Sequence, residues 1–110
     1  MVRVESIKDS EIVFVVNGET VYQWKCHVTM PDGETRDVLG QIPWRMYNTL
    51  VIEAWGTVTD YVEVYVQRMV RKVDPPGYIY RIPDDRKALE ELREMLSNPN
   101  RTVSPDSHRL

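Results

Sequence analysis

Residues Leu50–Val73, LVIEAWGTVTDYVEVYVQRMVRKV, decide how the chain is read. Taken at period two, Leu50, Ile52, Ala54, Gly56 and Val58 share one side of a strand, and Val51, Glu53, Trp55, Thr57 and Thr59 share the other. A short turn near Asp60 leads to a second run. There Val62, Val64 and Val66 point inward, and Tyr61, Glu63, Tyr65 and Gln67 point outward. Such alternation is the signature of a half-buried strand. It slips at Arg68, where Met69 and Val70 are both apolar, as at a β-bulge. The stretch therefore predicts a hairpin.

The residues before it extend the β pattern. Glu11–Val16 is β-branched and aromatic, and Asn17-Gly18 follows, a pair that favours a tight hairpin turn. From Thr20 to Met30, Tyr22, Trp24, Cys26, Val28 and Met30 alternate with Gln23, Lys25, His27 and Thr29, which gives one dry and one wet face. Pro31-Asp32-Gly33 is a second turn, and Thr35–Gln41 a shorter strand. Pro43 breaks the pattern, so residues 42–48 read as a crossing loop or one helical turn. Residues 1–10 allow two readings: the first half of one long curved strand, or a separate strand ended by a turn at Lys8-Asp9-Ser10.

Beyond Val73, Asp74-Pro75-Pro76-Gly77 stops the β pattern and Tyr78–Tyr80 lies against it. Asp84 or Asp85 caps a helix running to about Ser97, with Leu89, Leu92 and Leu96 on one stripe and Met95 beside it. Residues 98–110 form a polar tail. The organisation is thus a β-barrel over 1–73, a connector and helix over 74–97, and the tail. The predicted fold class is all-β: a five-stranded barrel with a C-terminal α-helix.

Composition sets limits. At 110 residues there is room for one core. One cysteine excludes an internal disulfide framework, and no apolar run spans a bilayer, so no membrane partner is expected. The first residues lack a signal-peptide core, which makes an intracellular location the expectation. A net charge of −3 excludes a protein that coats nucleic acid by charge alone, though not a local basic groove. Chemistry is sparse. Adjacent Cys26 and His27 point to opposite faces of a strand, so they make neither a metal site nor a nucleophile–base pair. No phosphate-binding Gly-rich loop occurs. An enzyme, a metal and a cofactor are not expected.

A three-stranded meander, a crossing and a hairpin resemble the order of the OB-fold, the oligonucleotide/oligosaccharide-binding barrel. Leu50–Val73 looks like the last two strands of OB domains in single-stranded-DNA-binding proteins, with Gly56-Thr57-Val58 and Arg71-Lys72 in the matching places. A helix after the barrel resembles the small subunits of replication protein A and Stn1/Ten1-like telomere proteins. The resemblance implies a single-stranded nucleic-acid binder, of DNA or RNA, acting as the small subunit of a heteromeric complex.

Base stacking needs flat aromatic faces beside cations. Trp55, Tyr61 and Tyr65 share the outward side of the predicted hairpin, and Trp44 lies in the crossing segment. Lys25, His27, Arg36 and Arg45 supply the positive edge. The same aromatics also suit a cover for the C-terminal helix or a partner subunit. Leu89, Leu92, Met95 and Leu96 suit either docking on their own domain or contact with partner subunits, a homodimer included. The alternative function is a structural adaptor that binds only protein. Lys25, Arg36 and Arg45 clustered beside an exposed Trp55 would favour nucleic acid; the same aromatics covered by the C-terminal helix would favour the adaptor.

Overall fold

The computed structural model describes residues 1–53 and 57–97. Its sheet is built around the alternating segment Thr20–Met30. In chain order the strands are β1 (Arg3–Ser6), β2 (Ile12–Val16), β3 (Glu19–Thr29), β4 (Thr35–Pro43) and β5 (Ile79–Arg81). The helices are α1 (Trp44–Glu53) and α2 (Val58–Met69), both between β4 and β5, and α3 (Arg86–Ser97) after β5.

Asn17 and Gly18 turn β2 into β3 with φ values of 51° and 79°, the left-handed pair that a two-residue type I′ hairpin requires. β3 outruns its neighbours. β2 covers its first half, from Val16↔Glu19 to Ile12↔Gln23, and β1 its second half, from Ser6↔Cys26 to Arg3↔Thr29. The two short strands thus lie end to end along one side of β3. The break between them is closed by Ser10, whose Oγ donates to the Ile7 carbonyl at 2.6 Å and accepts from the Lys25 N–H at 3.0 Å. Both readings of residues 1–10 therefore hold in part: one edge, interrupted by a turn. β4 pairs antiparallel with the other side of β3, and β5 runs parallel to β4 beyond it. A parallel neighbour needs a crossover, which α1 and α2 supply.

Strand parity decides the layers. Val4, Trp24, Cys26, Val28, Val38, Ile42 and Tyr80 share one sheet face and are buried under the helices. They meet Met46 and Leu50 of α1 and Tyr61, Val62, Val64 and Val66 of α2. α3 seals the far side of α2 with Leu89 and Leu92. Among the described residues the opposite sheet face, with Lys25, His27, Asp37 and Arg81, carries no helix.

A sheet-rich fold with an amphipathic helix over residues 86–97 matches expectation; the all-β class and the closed five-stranded barrel do not, because the five strands form an open mixed sheet with three helices. Residues 49–53 and 58–69, expected to lie in two strands, are helical. The cause lies in α2. Packed between the sheet and α3, it is apolar on two opposite sides, so Val62, Val64 and Val66 mimic the period of a strand. Its start is marked by Thr57, whose hydroxyl accepts from the Asp60 N–H at 3.1 Å. Pro43 ends β4, and α1 begins at the next residue. Among the described residues no helix is long and apolar enough to cross a membrane.

α2 sits directly on β4 at Gly40, where a methyl group would overlap Val62 Cγ1. Gly40→Ala is expected to cost about 1–3 kcal/mol by overpacking. The added substitution Val62→Ala should recover part of that loss, because it removes the clashing methyl. Urea unfolding of the three variants checks both expectations; additive losses would place the strain elsewhere.

Candidate protein-docking surface

β2 differs from every other strand. All five of its residues, IVFVV, are apolar, so both of its faces are apolar. Ile12, Phe14 and Val16 lie on the helix-free side of the sheet, and Val13 and Val15 on the helix side, opposite Tyr22 and Thr20. Among the described residues neither side is fully covered: Ile12, Val13, Val15 and Val16 are 50%, 53%, 66% and 41% exposed, and Phe14 is half-buried. Among the described residues only β3 pairs with it, and none of them occupies its other edge. Val16 and Glu19 close the two-residue hairpin as a hydrogen-bonded pair, and alternation assigns Phe14 and Ile12 to the same ladder. The N–H and C=O groups of Val13 and Val15 therefore face outward.

On the helix side the strand continues into an aromatic shelf. Trp44, Tyr47 and Val51 recur at helical spacing on α1. Tyr47 stacks on Tyr22 with ring centroids 3.9 Å apart and planes 4° from parallel. Trp44 lies 6.0 Å from Tyr22, and Trp24 extends the stack from Tyr22 at 6.3 Å. Trp24 is buried, whereas Trp44 and Val51 are 44% and 57% exposed. Partial burial, with the nearby Glu11 carboxylate, raises the Tyr47 phenol above its ordinary value, which keeps it neutral. The stripe from β2 to Val51 is thus apolar, with the Glu11 carboxylate at its margin.

The residues expected to hold nucleic acid do not gather here. Trp55 lies outside the described residues. Tyr61 is fully buried in the core, where loss of water pushes its phenol up to about 12. Tyr65, one helical turn on, is half-buried at a groove with Arg68, Arg71 and Tyr78. Lys25 and His27 stand on the helix-free sheet face, and His27 Nδ1 lies 2.8 Å from Asp37. Arg45 is exposed on α1, 3.4 Å from Asp84. Of the described aromatics named in advance, Tyr61, Tyr65 and Trp44, only Trp44 belongs to the shelf.

Arg36 is buried on the core side of β4 and serves the loop after α2. Its guanidinium donates to the carbonyls of Asp74 and, at 3.0 Å, Lys72, and to Glu34 at 2.9 Å. Asp74 completes the lock by accepting from the Tyr80 hydroxyl at 2.7 Å and the Arg71 N–H at 3.1 Å. The helix residues are likewise committed within the chain. Leu89 and Leu92 are buried against α2, and Met95 and Leu96 are half-buried on the same core.

Cys26 is buried, and that burial, with Glu63 nearby, pushes its thiol up to about 12, so it is an inert core residue at neutral pH. Among the described residues no three potential metal ligands gather. No known protein family, curated protein or solved structure matches this chain.

Val13, Val15 and Tyr47 were missed as surface residues. For Val13 and Val15 the signal was the unbroken apolar run Ile12–Val16, which lacks a wet face and so needs cover on both sides.

The Asp74 lock generates a pH test. The Tyr80 hydrogen bond, then the Arg71 N–H, holds the Asp74 carboxyl below its ordinary 3.8. A depressed acid stabilises the fold above that value and loses its contribution as pH falls through the folded value. The stability gap between wild type and Asp74→Asn should be widest at neutral pH and close below pH 3.8. Urea midpoints across that range check it; a gap that widens in acid would contradict it.

Proposed function

We propose that the chain is a protein-interaction module that receives its partner along β2, adding a strand to the sheet and covering the aromatic shelf of α1. One observation carries this reading: an uncharged, wholly apolar strand with one unpaired edge and both faces exposed. Natural edge strands are guarded by charge, proline or a bulge, and Ile12–Val16 has none of these. A contiguous exposed apolar patch is the ordinary mark of an interaction surface. Strand addition combines main-chain hydrogen bonds with pockets for alternate side chains. Here Val13 and Val15 offer the hydrogen bonds, and Tyr22, Tyr47 and Trp44 shape the adjoining surface.

Single-strand recognition asks for cations and aromatic faces on one surface. Lys25 and His27, Arg36, Arg45 and the shelf instead occupy separate places, and the net charge is −3. Dispersal favours the adaptor. Its docking surface is β2 and α1 rather than α3, whose Leu89 and Leu92 are already buried within the chain.

Selection of a phage-displayed random peptide library against the immobilised chain tests this function. Extended peptides with alternating apolar residues should be enriched, and Val13→Lys with Val15→Lys should weaken them about tenfold or more, about 1.4 kcal/mol. Both positions are exposed, so the double variant should keep its urea stability within about 0.5 kcal/mol. Salt-sensitive binding of a single strand of about 20 nucleotides, untouched by the β2 substitutions and with no peptide enriched, would overturn the proposal.

A further inference from the structure

We infer that the partner of β2 is a second copy of this chain, joined by antiparallel pairing of β2 with β2 about a twofold axis at Phe14. The inference rests on the docking role of β2 and names its occupant.

The strand is self-complementary. Reversed about Phe14, Ile-Val-Phe-Val-Val places Ile12 opposite Val16, Val13 opposite Val15 and Phe14 opposite itself. Every cross-strand pair is apolar, and no like charges meet within the strand. The next pair outward is Glu11 with Asn17, a carboxylate facing an amide. A closed dimer demands this property, because the same patch must fit its own copy.

The main-chain pattern agrees. The outward groups of each β2 belong to Val13 and Val15. In the register centred on Phe14 those residues oppose Val15 and Val13 of the second copy, so four hydrogen bonds form between groups that the hairpin leaves free. Phe14 then meets Phe14 as a non-hydrogen-bonded pair, the arrangement in which side chains come closest. A register shifted by one residue would oppose outward groups to inward ones.

The faces agree too. A twofold axis perpendicular to the sheet keeps both helix layers on one side. The shelves of Trp44, Tyr47 and Val51 then border the seam from both copies, above the Val13 and Val15 side chains. A single extended peptide pairs with the edge but brings no second layer over that exposed stripe.

Sedimentation velocity across a wide concentration range tests the association. The wild type should move from monomer toward a dimer of twice 12.9 kDa, and Val13→Lys with Val15→Lys should remain monomeric throughout. A register test uses single thiols. Phe14→Cys should form an interchain disulfide on air oxidation, because opposed non-bonded residues have Cα atoms about 4.5 Å apart. Ile12→Cys should not, because each copy of residue 12 faces residue 16. Cys26, buried in every variant, is the internal control. A wild type that stays monomeric at the highest concentration, while β2-dependent peptides are still enriched, would overturn the second copy as occupant and leave the docking role standing. A dimer indifferent to the double lysine variant would overturn the β2 pairing itself.

Discussion

The architecture depends on strict alternation along β3. Trp24, Cys26 and Val28 are buried while Lys25 and His27 are exposed, and this parity places the helix layer on one side only. The length of β3 matters as much. Its eleven residues accept β1 and β2 end to end on one side, because neither is long enough to cover it alone. β4 on the other side is held close by Gly40 beneath Val62, and from there the chain crosses over through α1 and α2 to β5. One edge of the sheet is thereby given to β2, and nothing in the described chain covers it.

That arrangement explains how polar and apolar residues divide their work. The buried arginine secures a loop. Arg36 collects the carbonyls that Asp74 and Lys72 present after α2, and Asp74 ties the same loop to Tyr80 at the start of β5. Ion pairs on the exterior, such as Arg68 with Glu91 and Arg86 with Glu53, join α3 to α2 and α1. Charge is thus used to fasten elements together, while the apolar surface at β2 and α1 remains open.

The meander was legible in the sequence because its signals are local. Asn17-Gly18 fixes the first turn and Pro31-Asp32-Gly33 the second, and the Tyr22–Met30 alternation sets the faces. The C-terminal helix was legible for the same reason, with Leu89 and Leu92 where the stripe put them. Residues 49–69 were not, because burial of α2 between two layers removes the polar face that distinguishes a helix from a strand. The Thr57-x-x-Asp60 cap was the signal that period-two reading passed over. Trp44 was singled out as a surface aromatic, but its partners were hidden. Tyr47 meets Tyr22 only once 44–53 is a helix, and Arg36 leaves the surface only once the 71–74 loop closes over it. The exposure of Val13 and Val15 is a tertiary fact, since sequence shows that a strand is apolar and not whether anything lies above it.

Amide hydrogen exchange along β2 at several protein concentrations bears most directly on the free edge and its occupant. Ile12, Phe14 and Val16 donate to β3 and should be protected at every concentration. Val13 and Val15 should exchange freely in dilute solution and become protected as concentration rises. Unprotected Val13 and Val15 amides at the highest concentration, with the fold intact, would contradict pairing of this edge with its own copy.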